Sequence, residues 1–178
     1  MILGQWPEAD PGAPLRASLF GRFSITAVGS GELPISSRRA RALLAILCLE
    51  SNAPLERERL SRLLWPGRFE AHAKASLRQC LLSLGKLLAP FHGDLITATR
   101  QTICLQPGAI QSDLGELEGA LATGRLSEAL RLLDDIGGAP LLDGLAFGDE
   151  FADWLASQRN RVERRLQAAV TDALDQLE

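Results

Sequence analysis

Two spacings of apolar residues divide this sequence. Residues 16–28, RASLFGRFSITAV, alternate and are rich in β-formers, the period-two pattern of half-buried strands, with a break at Gly21. GSGEL then reads as a turn and residues 33–35, LPI, as a short strand. From Ser36 onward the period becomes helical. Ser36 and Ser37 stand before RRARALLAILCLE, where a serine oxygen accepts from the free N–H groups of a first turn. Ala40, Leu43, Leu44 and Leu47 follow at helical spacing, which predicts a first helix over 37–50. LERERLSRLLW predicts a second, short helix with Leu60, Leu63 and Leu64 inward, and Pro66 stops it.

A third helix is predicted over 70–89, ended by Pro90 and Gly93. LITATRQTICL holds two short alternating runs around TRQT, the pattern of a hairpin. Residues 107–112 read as a link. Helices are then predicted over 113–123, 125–136 and 146–177, with GGAPLLDG breaking the chain before the last. The last carries Phe151, Trp154, Leu155, Val162, Leu166, Val170 and Leu174 on one broad face; at that spacing the aromatic cluster reads as core, or as an anchor for a partner. No stop signal precedes Glu178, so a continuing chain and a frayed end read alike.

Strands, three helices and a hairpin are the order of a winged helix-turn-helix. The expected fold is mainly α with small β elements: a flexible arm over 1–14, a winged helix-turn-helix domain over 15–107, and a tetratricopeptide-like helical domain over 108–178.

Charge sharpens this division. The net charge is −3, yet residues 15–110 hold 13 Arg/Lys against 6 Asp/Glu and residues 111–178 hold 6 against 14. Net charges of +7 and −8 in the two parts point to different partners, phosphate for the first, or to mutual attraction. The chain is 46% hydrophobic, but its apolar runs are too short to span a bilayer and its acidic, proline-containing start is no signal peptide, so a cytoplasmic protein without membrane contact is expected. Cys48, Cys80 and Cys104 are odd in number and widely spaced, which excludes a C-x-x-C site and reads as small buried hydrophobes. His72 and His92 have no acids clustered around them, and Asp134–Asp135 and Asp149–Glu150 read as solubilising charge. GSGE lacks the lysine of a phosphate-binding loop, and no G-x-S-x-G is present. No catalytic residue, metal or cofactor is expected.

The third helix carries the candidate chemistry. At 100° per residue Leu77, Leu81, Leu84 and Leu88 share a stripe flanked by Ala73 and Cys80, which must face the core. The opposite side presents His72, Ala75, Gln79, Leu82, Ser83 and Lys86, with Lys74 and Arg78 flanking. A helix of this width enters a major groove, where Arg and Lys suit guanine, Gln suits adenine and an apolar group meets a thymine methyl. Any exposed helix face is polar, so a merely solvated face is the competing reading. Arg100 at the expected wing tip is placed for phosphate or a minor groove. The candidate DNA-binding residues are Lys74, Arg78, Gln79, Ser83, Lys86 and Arg100. Arg38, Arg39 and Arg41 oppose the dipole at the start of the first helix, which marks their charge as wanted for phosphate or for the acidic part.

SRRARALLAILCLE, LERERLSRLLWP and ASLRQCLLSLGKLL together resemble the winged-helix segment of the Streptomyces antibiotic regulatory protein family, itself similar to OmpR-type effector domains. The stretches SDLGELEGALATGRLSEALRLL and FADWLASQRNRVERRLQAAVTDAL resemble the bacterial transcriptional activation domain that follows in that family. The resemblance covers residues 15–178 and is most specific in LLWP before the third helix and W-x-x-x-x-R in the last. It implies a regulator whose third helix reads double-stranded DNA and whose helical domain supports a homodimer or contacts to RNA polymerase or a further regulatory domain. Two departures stand out. Ser83 and Gly85 occupy positions where the family commonly has arginine, and Thr102–Ile103 replace its usual Gly-Tyr. With the acidic net charge, they favour a second reading: a protein-interaction module whose degenerate winged helix does not bind DNA.

Overall fold

A computed structural model describes residues 14–176 except 52, 92 and 93. The arm expected over 1–14 lies outside the described residues apart from Pro14, as does His92. The chain begins with strands β1 (Leu15–Ser18), β2 (Ser24–Ala27) and β3 (Gly31–Glu32), then helix α1 (Arg38–Leu49). Strand β4 (Leu55–Glu56), helices α2 (Arg57–Leu64) and α3 (Glu70–Leu88), and the hairpin β5 (Ile96–Ala98) and β6 (Thr102–Leu105) follow. Strand β7 (Ile110–Ser112) leads into α4 (Asp113–Ala122), α5 (Leu126–Ile136) and the long α6 (Asp149–Asp175). The chain is mainly α with two small sheets.

Alternation in the first strands does what the pattern requires: Leu15 and Ala17 on β1 and Ile25 and Ala27 on β2 are buried, with antiparallel register from Leu15↔Ala27 to Ser18↔Ser24. The strand expected at 33–35 is displaced, because Gly31 and Glu32 pair with β2 instead. Leu33 still donates to Ile25 O at 2.8 Å, but Pro34 has no N–H with which to continue the ladder. The residues read as a link, 107–112, contain β7, which pairs in parallel with β1 and closes the sheet order β3-β2-β1-β7. Leu55 and Glu56, expected in the second helix, form β4 against Ile103 and Thr102, in the sheet order β4-β6-β5.

Helix α1 is buried on all sides from Ala42 to Cys48, as a central core helix must be, and Ser37 Oγ caps it by accepting from Ala40 N at 3.2 Å. Leu60, Leu63 and Leu64 of α2 pack inward as their spacing predicts. On α3, Ala73, Leu77, Leu84 and Leu88 are buried; Leu81, expected within the inward stripe, and Cys80 beside it are only half-buried.

One core runs from Leu15 through α1, α2 and α3 to Phe151, Trp154, Leu155 and Val162 of α6. A smaller one joins Leu117, Ala120 and Leu121 of α4 to Ala129 of α5 and Ala173 of α6. Helix α6 therefore spans both, its aromatic first half serving as core. Leu166 and Val170 are half-buried, and Leu174, expected on the inner face, is exposed. Helix α5 fully buries only Ala129 and leaves Leu130 and Leu133 exposed; Gly137 ends it in the left-handed region, φ 59°, where a side chain would be strained.

The arginines at the start of α1 make no ion pair among the described residues and donate to backbone carbonyls instead. Arg38 Nη2 donates to Gly144 O at 2.9 Å with its guanidinium over Phe147. Arg39 Nε donates to Leu64 O at 2.8 Å between the Trp65 and Phe147 rings, and Arg41 Nη2 donates to Ile35 O at 2.8 Å. Their charge is spent on unpaired carbonyls and ring faces, which holds the segment before α6 against α1 and α2. Among the described residues the ion pair between the two parts is Arg16–Glu116 at 2.7 Å, a partly exposed pair worth about 1 kcal/mol at most.

Only Cys48 is a fully buried cysteine; Cys80 and Cys104 are half-buried, and all three are free thiols. Burial pushes the Cys48 and Cys80 thiols up, which disfavours the reactive thiolate. Among the described residues no helix is long and apolar enough to cross a membrane.

Candidate nucleic-acid interface

Helix α3 presents its outer face to solvent along most of its length. Lys74, Arg78, Gln79, Ser83 and Lys86 are all exposed there, with Ala71, His72, Ala75 and Leu82 among them. The arrangement follows from the buried stripe: once Leu77, Leu84 and Leu88 face the core, residues half a turn away face outward. Glu70 in the first turn and Lys86 in the last match the helix dipole, which supports a long helix with an interior glycine.

These cations are not equivalent. Lys74 pairs with Glu70 one turn earlier, and their hydrogen bond holds the Lys74 ammonium above and the Glu70 carboxyl below their ordinary values. Arg78, Lys86 and Arg100 make no ion pair or side-chain hydrogen bond among the described residues, so their charge is available to an external anion. Arg78 and Lys86 line one cleft between α3 and β5, walled by Leu81, Leu82, Ile96 and Ala98. Ser83 lies toward the other flank, where it and Lys86 border a hollow next to Ile35 and Ser37.

Arg100 stands exposed at the tip of the β5–β6 hairpin, the wing. Its turn is closed by hydrogen bonds: Thr99 N donates to Thr102 O at 2.9 Å, and Thr99 Oγ1 accepts from Gln101 N and Thr102 N. Reading the sequence missed Arg57. Its backbone N–H donates to Gln101 O at 2.8 Å and its Nη1 to Thr99 O at 2.9 Å, which clamps the wing turn to the start of α2. It also lines the cleft with Arg78 and Lys86, a neighbourhood that 21 residues of separation from Arg78 conceal. Phe69 was also missed: at the N-cap position of α3 it is 83% exposed, with its ring edge-on to His72 at 6.3 Å. An aromatic residue beside RF-E at a helix start gives no local cue that nothing covers it. Leu82, expected outward, is 55% exposed.

Gly85 interrupts this helix, and a Cβ built there meets nothing within 4 Å, so close approach of another backbone does not explain it. Gly85→Ala is expected to raise stability by about 0.5–1 kcal/mol by restricting the unfolded chain. Urea unfolding checks it; a lower midpoint would mean that the wing side of α3 needs the freedom of glycine.

No protein-family model matches this chain, and no curated protein matches it. A likeness is found with a solved structure, Mycobacterium tuberculosis EmbR in complex with a low affinity phosphopeptide, at 24% identity and a TM-score of 0.58, over 91% of this chain. The chain spans 43% of that protein's length. At this identity the likeness is one of fold, and it extends over the winged-helix segment and the helices that follow.

Proposed function

We propose that this chain is the DNA-binding and interaction part of a cytoplasmic transcription regulator of the Streptomyces antibiotic regulatory protein type. The observation that carries the reading is the exposed face of α3, with Gln79 facing solvent and the uncompensated Arg78 and Lys86 beside a wing whose tip is Arg100. Phosphate contacts from Arg78, Lys86 and Arg100 supply affinity, while Gln79, Ser83 and Leu82 meet base edges in the major groove. Lys74, held by Glu70, contributes by exchanging partners at a phosphate. The tetratricopeptide-like helices α4 and α5, joined by Thr123–Arg125, and the outer side of α6 form the protein-contact surface for a second copy, RNA polymerase or a further regulatory domain. Exposed Leu130 and Leu133 support that part of the reading.

Titration into mixed-sequence duplex at low salt, followed by anisotropy and repeated at rising salt, tests it. Binding should weaken with log K linear in log salt. Arg78→Ala with Lys86→Ala should reduce the steepness of that line by about 2 and lower affinity roughly 10- to 100-fold near 0.1 M salt, at unchanged stability. Absence of binding at tens of micromolar protein would leave the second reading, a protein-interaction module, to which exposed Phe69 and Leu82 offer apolar contacts.

A further inference from the structure

The hairpin that carries Arg100 is short. Strands β5 and β6 have three and four residues, and Thr97 and Ala98 on the outer strand are exposed. Strand β4 braces β6 as far as Thr102, through the pairing of Leu55 with Ile103 and of Glu56 with Thr102. Beyond that point, residues 99–101 hydrogen-bond outside their own hairpin only to Arg57, among the described residues. The Arg57 N–H donates to Gln101 O at 2.8 Å and its Nη1 to Thr99 O at 2.9 Å, so the carbonyls of the residues on either side of Arg100 are both gripped. Arg57 is the first residue of α2, whose Leu60 and Leu64 share the first core with Leu77 and Leu84 of α3. The wing tip is therefore tied to the frame of α3 through one arginine at the head of α2.

The two bonds differ in kind. The backbone bond survives any substitution that keeps the N–H. The side-chain bond comes from an ionised donor, which makes it the stronger of the two and the one a substitution removes. Arg57 makes no ion pair among the described residues, so no carboxylate competes with Thr99 O for its guanidinium. A loop that is free before binding must be ordered on binding, and a loop already held escapes that cost. We propose that Arg57 is a positioning residue for DNA recognition: its guanidinium, seated on Thr99 O, holds Arg100 where it meets a phosphate while α3 lies in the major groove. This rests on the DNA-binding reading of α3 and adds to it the residue that sets the reach of the wing. Arg57 acts through Arg100, whereas Arg78 and Lys86 in the same cleft act directly.

Two measurements on the full chain test it, one without DNA and one with it. Trypsin cuts after Arg100 in proportion to how often the wing tip opens. Arg57→Ala should speed that cut several-fold and leave the cut after Arg131, exposed on α5, unchanged. Equal acceleration at both sites would report a general loosening of the fold and overturn the proposal, as would an unchanged rate at Arg100. In the salt titration, Arg57→Ala and Arg100→Ala should each lower affinity roughly 3- to 10-fold near 0.1 M salt and reduce the slope by about 1, the loss of one phosphate contact. The double variant should lose no more than the larger single loss, to within about twofold, because both substitutions remove the same contact. Additive losses, with the slope lower by about 2, would show Arg57 meeting a phosphate on its own; they end the positioning role and leave the DNA-binding reading standing. A wild-type chain that binds no duplex removes that reading, and the positioning role with it, whatever trypsin shows.

Discussion

Replacing Trp154 by alanine should cost about 3–5 kcal/mol of stability, the largest single effect expected in this protein. The side chain is 8% exposed, its ring lies 5.2 Å from that of Phe151, and its Nε1 donates to Glu50 Oε1 at 3.2 Å. Glu50 is the C-cap of α1, where a negative charge meets the negative end of the helix dipole. Two donors compensate it: Trp154 and the guanidinium of Arg59, whose Nη1 and Nη2 reach its two oxygens at 3.3 Å. Truncation thus leaves a cavity at the junction of α1 and α6 and removes one of these donors. Trp154→Phe keeps the ring contact and leaves Arg59 in place, so its cost should be about 1–2 kcal/mol. Urea unfolding of the two variants measures the difference. Near-equal midpoints for wild type and Trp154→Ala would show that α6 does not complete the first core.

Asp113→Ala should lose about 2–4 kcal/mol, from hydrogen bonds and not from packing. The Asp113 carboxylate accepts from Leu19 N at 2.9 and 3.0 Å through its two oxygens, from Phe20 N at 3.2 Å, and from its helix neighbour Leu114 N at 2.8 Å. Leu19 is fully buried, so without Asp113 its N–H has no water to replace the lost acceptor. The same segment is held from its other side, where Leu142 N donates to Leu19 O at 2.7 Å and Gly21 N to Pro140 O at 2.8 Å. Asp113 therefore ties the start of α4 to the segment that follows β1. Burial pushes its carboxyl above the ordinary range, against the lowering by the backbone N–H groups of Leu19, Phe20 and Leu114. A raised acid favours the protonated fold. Its contribution is full below the unfolded-state value and is lost as pH rises through the folded one. Wild type should lose stability relative to Asp113→Asn across that window. Chemical unfolding at stepped pH checks the sign; a widening advantage of wild type with rising pH would contradict it.

The parts of the fold that could be read in advance are those whose cause is local. Nineteen residues of α3 carry several turns of a single apolar stripe, so its extent and its outward face follow from the repeat alone, and Gln79 and Lys86 emerge on the solvent side. The wing is legible for the same reason, two alternating runs around a threonine-rich turn. Strands β3, β4 and β7 have two or three residues each, too few for any period to register. Each exists because a distant partner offers its edge: β2, β6 and β1.

The candidate interface divides in the same way. That Arg78 and Lys86 lie on an exposed helix face was written in the order of leucines around them. That Lys74 is neutralised by Glu70 rests on a spacing of four, also local, but whether a neighbour competes for it is not. Arg38, Arg39 and Arg41 look like phosphate ligands on charge alone, and only their neighbours show them bound to Gly144, Leu64 and Ile35 carbonyls.

Amino-acid order by itself determined the helices, the hairpin, the inward leucines and the sign of charge on each part, since periodicity and composition act within a few turns of chain. The tertiary structure alone decided which cations stay free, how α6 fills two cores, and where Arg57 and Asp113 exert their hold. Those outcomes depend on donors and acceptors brought together across tens of residues, and a hydrogen bond of about 3 Å leaves no trace in sequence until both ends have been placed.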